Sequence, residues 1–270
     1  MKGIFILITT LFSVLNGYAQ TLKKEYNACA IEKLNMKDYQ GAIEYFTKII
    51  ELNPQDSMAY FDRAMAKENL KDYIGAIADY TKQIEIDHES IDSYFLRGLD
   101  KNILKDYKGA IQDFNKALNL EPDNADAYYN RGLAKAALKN FKGAITDYNL
   151  AIKKRADHVE AFISKAWAES QIKNYQAAIA DYNTAIKIDS TNENAIKNRA
   201  KIKAETRDYL GAIEDYDKAI ILNQYNPEYY LLRGELKIKL GQKDSGCVDI
   251  KKYKSLIGTS IKNGIESLCN

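Results

Sequence analysis

The nine residues from Lys71 to Asp79, KDYIGAIAD, return 34 residues later as KDYKGAIQD and 34 later again as KNFKGAITD. Aligned on this phrase, Asp38, Asp72, Asp106, Asn140, Asn174 and Asp208 recur at the same spacing with no insertion or deletion. A period of this length marks a supersecondary unit too small to bury a core by itself, so successive units must stack on one another. The 270 residues therefore read as a quasi-one-dimensional array and not as one or two globular domains.

Each unit divides into two segments with apolar spacing of three and four, the helical signature. In the unit that starts at Ser57 the first segment carries Tyr60, Ala64, Lys67 and Leu70, and the second carries Ala76, Ile77, Tyr80 and Ile84. Only Lys71 and Asp72 separate them, so the two helices must be antiparallel. Small residues recur where they would approach: Ala64, Gly98, Gly132, Ala166, Ala200 and Gly234 on the first, Ala42, Ala76, Ala110, Ala144, Ala178 and Ala212 on the second. Rings recur beside them, as at Tyr60, Tyr94, Tyr128 and Phe162, and at Phe46, Tyr80, Phe114, Tyr148, Tyr182 and Tyr216. Small against large is how close-packed layers interdigitate, so most of the 20 tyrosines are packing residues.

An aromatic at Tyr60, a small residue at Ala64, then Tyr73, Ala76 and Tyr80, with Pro54 or Pro122 closing the preceding unit, resembles the tetratricopeptide repeat. The resemblance covers residues 23–254 as about seven units, starting near 23, 57, 91, 125, 159, 193 and 227. The seventh has drifted, with Lys243, Ser245, Gly246 and Cys247 where the phrase has Tyr, Gly, Ala and Ile. It implies an all-α, right-handed superhelical solenoid, and residues 258–270 read as a polar C-terminal capping helix. Such proteins usually bind a peptide or a helix of another protein along the face lined by the first helices.

The start differs in kind. Met1 and Lys2 precede the apolar run Gly3 to Leu15, followed by Gly17, Tyr18 and Ala19. A charged lead, a short apolar stretch and small residues three apart match a secretory signal peptide over 1–19, cut after Ala19. The run is shorter than the ~18 apolar residues a membrane span takes, so no stable insertion is expected once it is removed. The mature chain is expected to be exported, to the periplasm or beyond. Export permits disulfides. Cys247 and Cys269 lie 22 residues apart at the C-terminal end, where a bridge and free thiols both remain open, and Cys29 is left over as a buried thiol.

With 39 Lys plus Arg against 37 Asp plus Glu, the chain lacks the cationic excess of a nucleic-acid binder. Charge is instead patterned. Arg63, Arg97, Arg131, Lys165, Arg199 and Arg233 hold one first-helix position, and Asp79, Asp113, Asp147, Asp181, Asp215 and Asp249 one second-helix position. The turn lies midway between them, which predicts a ladder of partly buried ion pairs that fixes helix register. The first unit has Cys29 and Tyr45 in these places, a joint absence that hints at pairing within a unit and leaves pairing between neighbours open.

Catalysis has few candidates. His88 and His158 fall between units, two units apart, and no glycine loop or metal-ligand spacing occurs, so no enzyme activity, cofactor or metal is expected. Binding has more support. Phe61 with Met65, Phe95 with Leu99, Tyr129 with Leu133, and Ile163 with Trp167 would line the concave face, followed by Lys197 with Lys201 and then Leu231 with Glu235. Two readings fit this stripe: a groove for a partner segment, with Trp167 as its anchor, or packing between adjacent first helices. The lysine, asparagine and arginine clamp of the family's chaperone-tail receptors is absent, since apolar residues stand in its places. The sequence thus points to an interaction scaffold, with self-association as the rival, and, less favoured, a glycan-binding protein or enzyme.

Overall fold

A computed structural model describes residues 2–258 and residue 269, with side chains from residue 17 onward. Among the described residues there are fourteen helices and no strand: α1 (Lys2–Asn35), α2 (Tyr39–Leu52), α3 (Ser57–Asn69), α4 (Tyr73–Ile86), α5 (Ile91–Ile103), α6 (Tyr107–Leu120), α7 (Ala125–Ala137), α8 (Phe141–Lys154), α9 (Val159–Gln171), α10 (Tyr175–Ile188), α11 (Glu193–Glu205), α12 (Tyr209–Leu222), α13 (Pro227–Lys239) and α14 (Lys243–Ile257). The helix α1 runs without a break from the apolar leader into the first helix of the first repeat. No helix among the described residues is long and apolar enough to cross a membrane. The capping helix expected over 258–270 falls outside the described residues, apart from Gly258 and from Cys269, which is disulfide-bonded to Cys247. The free Cys29 is half-buried, not buried as expected. Two compact units divide the chain, the first ending at Ala134 and the second beginning at Lys135.

The repeated phrase is the turn itself. Lys37, Lys71, Lys105, Lys139, Lys173 and Arg207 all have φ between 59° and 67°, the left-handed conformation that stops the first helix. In the second repeat the amide of Asp72 then reaches back to the Lys67 carbonyl at 2.9 Å, satisfying a helix-end acceptor. The next residue caps the second helix. The side chains of Asp38, Asp72, Asp106, Asn140 and Asp208 accept from the amides of Gly41, Gly75, Gly109, Gly143 and Gly211 at 2.9–3.1 Å. Glycine is needed there because a Cβ on Gly75 would collide with the Asp72 carboxylate. In the fifth repeat Ala177 stands in the glycine's place, and Asn174 makes no side-chain cap bond.

Within each hairpin the small residues let the helices meet. A Cβ on Gly98 would lie 2.8 Å from the Phe114 ring, and Ala64 and Ala76 are buried around Tyr80. The ladder then locks the register. Arg63 donates from Nε and Nη2 to both oxygens of Asp79 at 2.8 and 2.7 Å, and Lys67 adds a second cation to Oδ2 at 2.7 Å. The remaining Arg63 nitrogen, Nη1, reaches Thr47 on α2 of the preceding repeat at 3.0 Å, so one side chain ties three helices. Arg97 does the same with Asp113, aided by Lys101, and with Thr81. Arg199 and Arg233 repeat it with Asp215 and Asp249, aided by Lys203 and Lys237, and bond Asn183 and Asp217. Arg131 donates to Asn115 at 2.7 Å and stacks over Tyr128, while Asp147 receives Lys135 at 2.6 Å. The fifth repeat is weaker: Lys165 gives Asp181 a single contact at 3.2 Å.

The cost of breaking such a clamp depends on what is left buried. Asp215→Ala strands both Arg199 and Lys203 and is expected to destabilise the protein by about 3–5 kcal/mol. Asp217→Ala removes only the exposed partner of Arg233, a change expected to cost less than about 1 kcal/mol. Urea unfolding followed by circular dichroism checks the contrast; equal losses would refute it.

Candidate functional site

In the first unit the first-helix stripe is half-buried, with its rings turned inward and Met65 left exposed. The Phe61 ring packs edge-on against Tyr80 with centroids 5.7 Å apart, and Phe95 packs against Phe114 at 5.9 Å. Met65, one turn on from Phe61, is 42% exposed. Leu99, Asn102 and Ile103 of α5, Tyr107 of α6, and Asn130 and Leu133 of α7 enclose a pocket of about 390 Å³. Its walls are apolar. Asn102 donates to the Asn130 carbonyl at 3.4 Å, and its buried Oδ1 accepts from no donor. Tyr129, between them in sequence, is half-buried.

In the second unit Trp167 is 42% exposed and meets Phe141 edge-on with centroids 5.6 Å apart. Ile163 packs against the core built on Ala166 and Tyr182. Lys201 is bonded to Glu228 at 2.8 Å, and Lys197 lies near Glu193, so this basic stretch is balanced by carboxylates. Sequence reasoning had treated these two lysines as open to a partner; the acids opposite them come from the start of α11 and from the following first helix.

One buried group was missed. Asp100 is 2% exposed at a position that holds Ala66, Ala134, Ala168, Ile202 and Leu236 in five repeats and an exposed Glu32 in the first. An acid between apolar residues at internal repeats was the available signal. Its neighbour is Glu68 of α3, which accepts from the Tyr80 hydroxyl at 2.9 Å. No cation serves this pair, since Arg63 and Lys67 are engaged by Asp79, and Arg97 and Lys101 by Asp113. Burial first, and then Glu68, push the Asp100 carboxyl from 3.8 up to about 7; burial also raises Glu68. A second acidic pair lies in the fifth repeat. There burial raises Asp181, Glu169 adds to the rise, and Lys165 only partly offsets it.

No group of three or more metal-ligating side chains occurs among the described residues. His158 is a buried residue capping α9, with Nδ1 at 3.2 Å from Glu160. His88 is exposed in the loop before α5.

Antiparallel hairpins stacked in sequence, with a half-exposed first-helix stripe, define a helical-repeat scaffold. Models of the tetratricopeptide repeat match residues 26–56, 45–78, 125–158 and 159–192, and one described as a TPR repeat matches 102–139. The chain belongs to the tetratricopeptide repeat family. Among solved structures it is similar to a tetratricopeptide repeat protein from Parabacteroides merdae, at 21% identity with a TM-score of 0.67, covering 92% of this chain and 98% of that one. It is also similar to YrrB, a TPR protein with an unusual peptide-binding site, at 26% identity and TM-score 0.59, covering 68% and 94%. MamA matches at 21% identity and TM-score 0.61, covering 63% and 92%. No curated protein sequence matches the chain.

The folded protein holds the Asp100 proton more tightly than the unfolded chain does. Stability should therefore fall as pH rises from 3.8 toward about 7. Asp100→Asn is expected to flatten that fall while leaving the acid-side stability unchanged, as read from urea midpoints across the same window. An unaltered slope would show that the pair does not share a proton.

Proposed function

We propose that the protein is an exported, non-enzymatic interaction scaffold that binds a peptide or helix of another protein on its first-helix face. The observation that carries this is the pocket between α5 and α7, apolar, open, and placed where the stripe of Phe95, Leu99 and Leu133 runs. Apolar side chains left half-exposed in register on a rigid frame are a feature of docking surfaces. The family supports interaction in general, and YrrB, a TPR protein with an unusual peptide-binding site, supports a peptide partner by analogy. Export, with a role in assembling a cell-envelope complex, rests on the leader at residues 1–19.

The test uses residues that are exposed or line the pocket without anchoring a ring in the core. A protein captured from envelope extract and then shown to bind directly in purified form should be lost with Met65→Asp and Leu133→Asp, both retaining full helical circular dichroism. Capture undiminished by these variants would move the site off this face. Mass spectrometry of the protein recovered from the envelope should give a chain that begins at Gln20; an intact Met1 would sink the export reading.

A further inference from the structure

The charges of α3 and α5 are sorted between two sides of the helices. The basic residues of these helices are Arg63, Lys67, Arg97 and Lys101, and all four are bonded to Asp79 or Asp113 at 2.6–2.9 Å. The acidic residues are Asp62, Glu68, Asp92 and Asp100, and no ion pair among the described residues includes any of them. Glu68 lies one turn after Met65 and Asp92 one turn before Phe95, so these two acids border the apolar stripe, while Asp62 lines a cleft with Lys23 and Asp56. Cations have been drawn to the ladder and carboxylates remain at the stripe.

Two buried acceptors on α5 also lack donors, Asp100 Oδ2 and Asn102 Oδ1. Buried acceptors cost stability until a donor or a proton reaches them. Asn102 lines the apolar pocket, and Glu68 holds the same position one repeat earlier, since the two are 34 residues apart. The face therefore offers room for a bulky apolar side chain and, one repeat along, a half-buried carboxylate. Its complement is apolar and positively charged.

We propose that the first-helix face of the first unit binds a protein segment in which lysine or arginine is interspersed with bulky apolar residues. One apolar side chain fills the pocket between Leu99 and Leu133, and a cation pairs with Glu68. This rests on the docking reading above and adds the chemistry of the partner. A polyanion is disfavoured by the same carboxylates.

The test is a fluorescence anisotropy titration of the protein with three labelled helical peptides that share one leucine and phenylalanine pattern. Their interspersed polar residues are lysine, glutamine or glutamate. The lysine peptide should bind tightest and weaken as salt is raised. Glu68→Gln keeps an acceptor for the Tyr80 hydroxyl, and it should weaken the lysine peptide about tenfold while leaving the glutamine peptide unchanged. Leu133→Asp should remove binding of both. Equal affinity for all three peptides, or no effect of Glu68→Gln, overturns the cationic partner while the docking face stands. Binding that Leu133→Asp does not alter overturns the face as well.

Discussion

The guanidinium at the seventh position of α3, α5, α7, α11 and α13 is the interaction on which the rest of the structure depends. Arg97 grips both oxygens of Asp113 within its own hairpin and reaches Thr81 on the hairpin before. That single fork sets the register of two helices and the seating of the next repeat. Thr81 can accept because its own hydroxyl proton is directed to the Ile77 carbonyl at 2.7 Å. The desolvation cost of a buried aspartate is offset by a second cation, Lys101, on the following turn. A planar, five-donor group is needed for this geometry, and lysine cannot replace it atom for atom.

The two repeats that depart from the rule show what it supplies. In the first, with Cys29 and Tyr45 in place of the pair, Tyr26 and Tyr45 lie 6.1 Å apart, and Lys48 sits over both rings. Aromatic packing and a cation over the rings substitute for the fork. In the fifth, Lys165 replaces the arginine and Glu169 the second cation, so Asp181 keeps an oxygen without a donor. Asn174, freed from capping, donates to Glu169 at 2.8 Å instead. The repeat with the least rigid clamp is the one that presents Trp167.

Much of this was legible because a fixed period makes each column its own control. Helix starts, the turn, the packing pairs and the partners 16 residues apart follow from columns that vary little within the chain. The third ligand did not: Thr47, Thr81, Asn115, Asn183 and Asp217 form a column of mixed polar types, which reads as solvated surface until the fork is seen reaching back. The packing of the stripe was partly legible. Spacing put Phe61 and Phe95 in one first-helix column, but their contacts with Tyr80 and Phe114 depend on ring tilts that no pattern encodes. Asp100 could have been found by asking which column holds a residue unlike its peers.

A frame that satisfies its own cations leaves register independent of the first-helix stripe. One column is aromatic at Phe61, Phe95 and Tyr129 and then changes to Ile163, Lys197 and Leu231, while the arginine and aspartate columns beside it stay nearly uniform. Had register depended on the stripe, each change there would have cost packing energy in both helices it touches. Because the fork carries register instead, a side chain at the stripe can be altered for what it meets outside the chain. The same partition sorts the charges of α3 and α5. Arg63, Lys67, Arg97 and Lys101 are committed inside the hairpins, so Asp62, Glu68 and Asp92 have no cation of their own helices left to pair with.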